Sequence, residues 1–259
     1  MNSEIQSNVL KLSNNHYIVG PRYGNLDIGD KGLGRLIEPD ELLGVLNKQK
    51  GKIIVTSGPT YEEIDDVKVV TNKSSGKQGR ALAIELSARG YEIVYLHSAS
   101  IDPIPGLDNV SFHSSNDLKN KILENINNTD AIFMTAAVSD FTVKKSSGKI
   151  SRSNGNITLE FIPNEDIIAT IKSSYPEIKC IAFSAQVDDE LNFNKINTKN
   201  VDYLVINNIL KYNFGSDVNK VSIIDHQHLI FESEELDKNE ISRDTVSYTH
   251  LRAHETSSY

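Results

Sequence analysis

The sequence contains a single cysteine, Cys180, among its 259 residues. One cysteine cannot form an internal disulfide, and it also excludes a metal site built on several thiolates. Cys180 lies within the apolar run Cys180-Ile181-Ala182-Phe183, so we expect a small hydrophobic side chain that is buried. The seven histidines show no metal-ligand spacing, and no metal site built from protein ligands is predicted.

Long apolar runs and an excess of positive charge are also missing. No apolar run approaches the ~20 residues that a membrane-spanning helix needs, and the polar start Met1-Asn2-Ser3-Glu4 is unlike a secretory signal. The net charge of −8, from 27 basic and 35 acidic residues, argues against a nucleic-acid binder with a broad basic surface. We expect a cytoplasmic protein with no membrane and no nucleic-acid partner.

Two glycine-rich signatures of nucleotide-binding sites, G-x-x-x-x-G-K-[ST] and G-x-G-x-x-G, are absent. What is present is a loop rich in Gly, Ser and Lys, residues 71–80, at the start of the predicted helix Arg80–Arg89. Free backbone N–H groups and the helix dipole favour an anion there, and glycine lets phosphate oxygens approach. The alternative is structural, with Ser74 and Ser75 as helix caps and Asn72 as a turn residue.

Strand-like and helix-like runs alternate after residue 52. Predicted strands are Lys52–Thr56, Glu92–His97, Val110–His113, Ala131–Thr135, Ile157–Ile162, Lys179–Ser184 and Tyr203–Ile206. Predicted helices are Arg80–Arg89, Asn116–Ile126, Glu165–Ser173 and Asp188–Asn197. This alternation predicts an α/β fold, a three-layer Rossmann-like open mixed sheet with helices on both faces. Hairpins are predicted at Asn154-Gly155, joining Lys149–Arg152 to Ile157–Phe161, and at His226-Gln227, joining Val221–Asp225 to His228–Glu232.

Composition divides the chain into four parts. Residues 1–46 hold a short helical pattern, a glycine-rich loop and a helical run at Pro39–Leu46, too little to bury a core, and look like the end of a domain whose beginning is absent. Residues 47–51 form a polar linker, and residues 52–246 form the main domain. Residues 247–259 have no apolar periodicity, so we expect a loosely attached tail that is foreign to the native domain.

Ten short motifs occur in order between Lys52 and Arg243. They are Thr56-Ser57-Gly58-Pro59-Thr60, Ile64-Asp65, the loop Thr71–Gly79, Ala136–Phe141, Gly148-Lys149-Ile150, Asn164-x-Asp166-Ile167, Ala182–Ala185, Lys195-x-x-x-Lys199-Asn200-x-Asp202, Asn207-Asn208 and Phe214-x-Ser216-Asp217-x-Asn219. Together they resemble phosphopantothenate–cysteine ligase, the C-terminal half of the bifunctional coenzyme A biosynthesis flavoprotein.

Residues 1–46 resemble the end of the partner domain, the flavin-dependent phosphopantothenoylcysteine decarboxylase. The resemblance lies in Gly20-Pro21, Gly34-Arg35-Leu36 and Glu38-Pro39, with Asn2, Gln6 and Asn8 before them. The flavin site and the catalytic residues of that family lie upstream of this stretch. The resemblance therefore implies neither flavin nor decarboxylase activity in this chain.

The resemblance implies an enzyme that joins 4′-phosphopantothenate to L-cysteine at the expense of CTP. An acyl-cytidylate forms first, with release of pyrophosphate, and cysteine then displaces CMP to give 4′-phosphopantothenoylcysteine. Mg²⁺ is expected to arrive with CTP and to have few protein ligands. The resemblance also implies a homodimer formed through the ligase domain, since the antiparallel extension offers an edge to share.

The resemblance assigns site residues by their motifs. Asn72 and Lys149 are expected to be catalytic, and Lys68, Asn72 and Ala137 to bind the substrate. The expected nucleotide-binding residues are Ser74, Ser75, Gly76, Gly79, Met134, Thr135, Ala136, Ala137, Asp140, Lys149, Asn164, Glu165, Asp166, Ile167, Ile168, Phe183, Lys195 and Lys199.

The sequence departs from the family pattern at four positions. Glu165 and Asp66 stand where proline is usual, Lys68 where arginine is usual, and Gln186 where glutamate is usual. Lys68 keeps the charge but loses the bidentate fork of arginine, which predicts weaker binding of the substrate phosphate.

Other readings of these residues stay open. Each lysine can be a solvated surface residue, Ala136 and Ala137 can serve close packing, and Phe183 can belong to the core. At the level of the whole chain, the alternative is a truncated, catalytically weak nucleotide-binding remnant. A nicotinamide-dependent reductase is disfavoured because its glycine signature and its ribose-binding acid are absent.

Overall fold

A computed structural model describes residues 3–13, 18–25, 31–37, 39, 41–42, 50–152, 155–187, 191, 193–208, 211 and 216–249. Its helices are α1 (Ser3–Ser13), α2 (Lys77–Ala88), α3 (Ser115–Asn125), α4 (Ile167–Ser174), α5 (Phe193–Lys199) and α6 (Lys238–Tyr248). Its strands are β1 (Arg22–Asn25), β2 (Lys31–Arg35), β3 (Lys52–Ser57), β4 (Tyr61–Glu63), β5 (Val69–Thr71), β6 (Glu92–Ser98), β7 (Asp108–Phe112), β8 (Thr129–Met134), β9 (Phe141–Val143), β10 (Phe161–Pro163), β11 (Lys179–Gln186), β12 (Tyr203–Asn208), β13 (Val218–Asn219), β14 (Val221–Ile224), β15 (Leu229–Glu232) and β16 (Leu236–Asp237). Within this part of the chain, no helix has the length and apolar character needed to cross a membrane.

Eight strands form one open sheet in the order β15-β14-β12-β11-β8-β3-β6-β7. Neighbouring strands from β12 to β7 are parallel, while β14 and β15 extend one edge in antiparallel fashion. The inner strands are rich in Ile and Val, and β3 is buried along nearly its whole length, as expected for a strand covered on both faces. The predicted mixed sheet is confirmed, as is the predicted hairpin formed by β14 and β15.

Helices cover both faces of this sheet because successive side chains of each strand point to opposite sides. Ile54 of β3 and Leu204 of β12 pack with residues of α3, α4 and α5. Ile53 of β3 and Phe133 of β8 pack with residues of α2 and α6. Each fully buried Ile, Leu or Phe side chain contributes about 1.5–3 kcal/mol. The predicted three-layer arrangement is confirmed.

The hairpin predicted between Lys149–Arg152 and Ile157–Phe161 is wrong. β10 pairs with β9 instead, and residues 149–152 form no strand. The physical reason is a buried carboxylate, because the backbone N–H of Ile150 donates to Oδ2 of Asp65 at 2.9 Å. This bond ties the segment to the turn between β4 and β5. Asn154, the predicted turn residue, lies outside the described residues.

The glycine-rich segment near the N-terminus forms a hairpin where a loop was predicted. β1 and β2 pair antiparallel, with Gly24 opposite Gly32. Arg22 of β1 is buried and forms a salt bridge with Glu85 of α2, so the hairpin packs on the main domain. The predicted helix at Pro39–Leu46 lies largely outside the described residues.

α6 extends past the domain boundary predicted at residue 246. The ring of Tyr248 stacks on that of Phe231 with centroids 4.2 Å apart, and Thr249 is fully buried. The prediction that a loosely attached tail begins at Ser247 is therefore wrong for residues 247–249, because they continue the helix and pack on the sheet. Residues 250–259 lie outside the described part of the chain.

Candidate functional site

A cleft of about 610 Å³ opens at the carboxyl ends of β8, β11 and β12. The strand order reverses here, because the chain leaves β3 toward β6 and β7 and returns to the other side of β3 at β8. Ligands of open α/β sheets bind at such a reversal. The cleft collects every predicted nucleotide-binding residue except Lys149, together with Asn72.

The loop before α2 forms one wall of the cleft. Gly76 is the N-cap of α2, adopts the left-handed region with φ 67°, and offers no side-chain cap to the helix. A Cβ atom on Gly79 would collide with the Thr135 hydroxyl and the Thr56 carbonyl, so glycine is needed there for close packing of α2. Ser74 accepts a hydrogen bond from Gly76 N–H at 3.4 Å instead of capping α2. The start of α2 thus lacks a side-chain cap, and the helix dipole favours an anion there.

Asn72 links this loop to the turn after β8. Its Nδ2 donates to the carbonyl oxygens of Ala137 at 3.1 Å and Val138 at 3.2 Å. The turn is itself fixed to the end of β3, since Ala136 N–H donates to the Thr56 hydroxyl at 3.0 Å. Asn72 and the small residues of the turn are therefore fixed relative to the end of β3.

Asp140 and Asn164 join the turn to the segment that leads into α4. Asn164 donates its backbone N–H to the Asp140 carbonyl at 2.9 Å, and its Nδ2 donates to the Ser139 carbonyl, also at 2.9 Å. Asp166 caps α4 by accepting from Ala169 N–H at 3.2 Å. These bonds shape a part of the cleft that is lined by expected nucleotide-binding residues.

Glu165, one of the departures from the family pattern, forms an ion pair at the rim of the cleft. Its Oε2 lies 2.5 Å from Lys119 Nζ, and its other oxygen accepts from the Thr170 hydroxyl at 2.6 Å. The Lys119 ammonium and then the Thr170 hydroxyl hold the pKa of Glu165 below its usual value. Glu165 therefore stays ionised and paired with Lys119, an interaction that a proline at this position could not make.

Two lysines of α5 and its C-terminal end bring positive charge to the cleft. Lys195 Nζ donates to the Ser184 hydroxyl at 2.7 Å, and Lys199 Nζ pairs with Asp166 Oδ2 at 2.9 Å. Being four residues apart, they share one face of α5. Phe183 also lines the cleft and packs against the core on the face of α2 and α6.

Lys149 and Lys68 lie outside the residues that line the cleft. Lys68 Nζ pairs with Asp65 Oδ2 at 2.6 Å and donates to the Ile150 carbonyl at 3.2 Å. Asp66 accepts from Gly148 N–H at 3.0 Å. Asp66 and Lys68, two departures from the family pattern, thus help to hold the loop that carries the exposed Lys149 against the turn between β4 and β5.

Asp65 is the anchor of that loop. Its carboxylate is buried and accepts bonds from Lys68 Nζ and from the backbone N–H groups of Ile150, Val67 and Lys68. These bonds, with the Lys68 ammonium as the largest cause, hold the pKa of Asp65 far below its usual value. The loop is therefore tied to an ionised carboxylate.

Sequence reasoning missed several residues that line the cleft. Lys77 and Asn219 occur within quoted motifs but received no role, and Lys238 has no motif signal, because only the packing of α6 on α2 brings it to the cleft. Gln186 lies outside the cleft lining and donates to the Ser184 hydroxyl at 3.5 Å. Among the described residues, no group of three or more His, Cys, Asp or Glu side chains is placed to hold a metal ion.

Comparison with known proteins gives close agreement for this domain. Residues 48–250 match the family model "DNA/pantothenate metabolism flavoprotein C-terminal domain". The crystal structure of the C-terminal domain of a coenzyme A biosynthesis bifunctional protein CoaBC is 26% identical, with a TM-score of 0.64, and the match covers 76% of this chain and 92% of that one.

Two curated relatives carry different names. A cysteine/cysteine sulfinic acid decarboxylase from an unknown prokaryotic organism is 31% identical over 262 residues, covering 92% of this chain and 72% of that protein. The coenzyme A biosynthesis bifunctional protein CoaBC of Bacillus subtilis (strain 168) is 32% identical over 238 residues, covering 85% of this chain and 58% of that protein. The match thus spans little more than half the length of the latter.

Proposed function

Because the chain belongs to the family of DNA/pantothenate metabolism flavoprotein C-terminal domains, we propose that it ligates 4′-phosphopantothenate to L-cysteine with consumption of CTP. One observation carries the proposal. The loop before α2, Asn72, Asp140 and the lysine pair Lys195 and Lys199 meet in a single cleft at the strand reversal. A site for this reaction needs phosphate neutralisation, recognition of the nucleotide and a donor for the acyl oxygen, and these residues offer all three.

In the first step, a carboxylate oxygen of 4′-phosphopantothenate attacks the α-phosphorus of CTP, and the bond to the β-phosphate breaks to release pyrophosphate. Lys195 and Lys199 stabilise the charge that shifts among the phosphates during this transfer. Mg²⁺ enters with CTP and adds to this neutralisation. Before CTP binds, Ser184 and Asp166 position these two ammonium groups in the cleft, at 2.7 Å from Lys195 Nζ and 2.9 Å from Lys199 Nζ respectively.

In the second step, the amine of cysteine attacks the acyl carbon, and CMP leaves with the electrons of the broken acyl–phosphate bond. The amine loses a proton as the amide forms. Asn72 is proposed to hold the acyl-cytidylate, since its neutral amide can donate to an acyl oxygen without repelling phosphate. Its bonds to the turn after β8 fix its position at the cleft, and donation to the acyl oxygen requires Nδ2 to exchange one of these two carbonyl acceptors for the ligand.

Lys149 is proposed to act on the nucleotide after a movement of its loop. The residue does not line the cleft while Asp65, Asp66 and Lys68 hold the loop against the turn between β4 and β5. Its catalytic role therefore requires residues 144–150 to approach the cleft when ligands bind. Lys68, in the turn between β4 and β5 and outside the cleft lining, is proposed to bind the substrate phosphate.

A homodimer is part of the proposal. β9 and β10 form a short two-stranded ribbon, and Phe141, Phe161 and Ile162 on it are exposed by 46, 49 and 45%. The rings of Phe141 and Phe161 pack edge to face with centroids 6.4 Å apart. An exposed apolar cluster on a ribbon with open edges fits a surface that a second copy covers.

The deciding experiment measures pyrophosphate release from the full chain with CTP and 4′-phosphopantothenate, and product formation after cysteine is added. A ligase releases pyrophosphate and forms the cysteine adduct, whereas a nucleotide-binding remnant does neither. CTP is expected to bind more tightly than ATP by calorimetry with Mg²⁺, and equal or tighter ATP binding would contradict that choice. Loss of carbon dioxide from cysteine without CTP would instead favour an activity like the one named for the decarboxylase relative.

A further inference from the structure

Two further lysines reach the cleft from the helices on the opposite face of the sheet. Lys77 is the first residue of α2 and Lys238 is the first residue of α6, and both line the cleft. Gln78 of α2 donates to the Ser242 hydroxyl of α6 at 2.9 Å and to the Lys238 carbonyl at 3.4 Å. The ends of the two helices are therefore held side by side at the cleft.

The Lys77 ammonium is paired with an exposed carboxylate. Its Nζ lies 2.6 Å from Oδ1 of Asp217, whose side chain is 83% exposed. Exposed ion pairs of this kind add little to stability, so a phosphate can displace the carboxylate at small cost. Asp217 belongs to a motif to which the proposed reaction gives no role.

Asp217 is fixed next to Lys238 by the backbone. The Lys238 N–H donates to the Asp217 carbonyl at 3.2 Å, directly beside the pairing of β13 with β16. Asn219 at the end of β13 also lines the cleft. Two ammonium groups, a carboxylate and an amide thus lie around one end of the cleft.

The Lys238 ammonium has no counter-ion among the described residues. No described residue accepts a hydrogen bond from its Nζ or lies within ion-pair distance of it, which distinguishes it from the two lysines near α5. Burial, then the like charge of Lys77, lowers its pKa, and Asp217 opposes this only in part. A phosphate bound between Lys77 and Lys238 would relieve both effects, because it supplies negative charge to both ammonium groups.

We propose that Lys238 and Lys77 form a subsite for the terminal diphosphate of the nucleotide, in which the Asp217 carboxylate holds the place of a phosphate oxygen until the ligand binds. The inference rests on the proposed function, because it assigns different parts of the bound CTP to different ends of the same cleft. The base and the α-phosphate lie toward α4 and α5, while the diphosphate that leaves as pyrophosphate lies toward α2 and α6.

The test is calorimetric binding of inorganic pyrophosphate, CTP and CMP to the full chain and to Lys238→Met, which removes the charge but keeps the apolar stem. We expect pyrophosphate and CTP to bind tenfold more weakly or worse, by about the scale of one charge-assisted hydrogen bond, with CMP binding unchanged within twofold. Lys121→Met, at a partly exposed lysine that pairs with Glu124 outside the cleft, is the matched control and should change nothing.

A second variant tests the carboxylate. Asp217→Asn should bind pyrophosphate severalfold more tightly, because it removes a negative charge that competes with pyrophosphate for Lys77. Weaker pyrophosphate binding by Asp217→Asn, unchanged binding by Lys238→Met, or an equal loss for CMP and CTP would each overturn the subsite. Loss of 4′-phosphopantothenate binding alone would also overturn it, since the charge would then serve the other substrate. If the unaltered chain binds neither CTP nor pyrophosphate, the proposed function itself fails, and that result is distinct from failure of the variants.

Discussion

At the scale of single residues, a substitution of Asn72 should affect the second half-reaction and spare the first. Its Nδ2 is held by the carbonyl oxygens of Ala137 and Val138, where the acyl-cytidylate is expected. Asn72→Ala should still release pyrophosphate but should form the cysteine adduct at a rate lower by roughly 10²-fold, the scale for losing one preorganised donor. The measurement compares pyrophosphate release without cysteine to adduct formation with cysteine.

Asn125→Ala is the matched control for this prediction, because Asn125 donates to the Lys121 carbonyl at 2.9 Å away from the cleft. Its rates should stay within twofold of the original. An unchanged rate of adduct formation in Asn72→Ala would remove Asn72 from the mechanism.

The residues of the candidate site were predictable from the sequence to the extent that they follow short motifs at strand ends. Asp140, Asn164 and Phe183 do so, and they line the cleft. Lys238 was not predictable, because its position depends on a helix that packs from far along the chain. Lys149 was predicted for the cleft, yet its loop is held elsewhere by Asp65, a contact between distant segments that no local pattern reveals.

At the scale of elements, the loop of residues 144–150 depends on one ionised carboxylate. The pKa of Asp65 is lowered in the fold, first by Lys68, so Asp65 contributes stability that is fully present above the unfolded-state pKa of about 4. That contribution is lost as the pH falls toward the lower pKa of the folded state. Asp65→Asn should therefore melt at a lower temperature than the original chain at neutral pH, and the gap should narrow below about pH 4.

Thermal melts from pH 7 to pH 3 measure this gap, and limited proteolysis at neutral pH reports release of the loop. Asp102→Asn is the control, since the backbone carbonyl of Asp102, and not its carboxylate, accepts the bond from Arg80. A gap between Asp65→Asn and the original chain that stays constant with pH would contradict the role of the ionised carboxylate.

Elements were predictable where the periodicity is long. Five strands have five or more residues each and strongly apolar patterns, namely β3, β6, β8, β11 and β12. The observed bounds of each strand lie within two residues of the predicted bounds. β9 and β10 have three residues each, and their pairing joins Phe141 to Pro163 across an intervening loop. Strands of three residues are too short to show the two-residue alternation of apolar side chains. The prediction therefore followed the nearby Asn-Gly turn signal and assigned the wrong strand partner.

The end of α6 is expected to stabilise the domain. Tyr248 stacks on Phe231 of β15, and such a pair contributes about 1 kcal/mol beyond the area buried. Tyr248→Ala should lower the melting temperature by roughly 2–4 °C or more. A double-mutant cycle with Phe231→Ala isolates the pair, and strictly additive losses would show that the stack contributes nothing.

At the scale of the whole molecule, Cys180 reports global unfolding. Its side chain is fully buried in the central strand β11, and burial raises the pKa of the thiol to about 12. Alkylation by a maleimide at pH 8 should be slower than in the unfolded chain by a factor on the order of 10³ or more, because the thiol is reached only through unfolding. Mass spectrometry with increasing urea follows the modification.

Ser173→Cys, at an exposed position of α4, is the control and should gain one fast-reacting thiol beside the protected Cys180. Rapid modification of Cys180 in the native chain would show that β11 opens locally. The parallel strands around it would then be less cooperative than their mutual burial implies.

Assembly is the last property that the fold makes testable. The apolar cluster of Phe141, Phe161 and Ile162 faces solvent, and the proposed dimer covers it. Light scattering at tens of micromolar should give twice the chain mass of 28.8 kDa, and Phe161→Ser should shift the mass toward the single chain, because the loss of apolar area weakens such an interface. Leu12→Ser, at a residue of α1 that is 51% exposed, removes similar apolar area elsewhere and should leave the mass unchanged. A single-chain mass for the original protein, or a Phe161→Ser variant that still doubles, would assign this cluster another role.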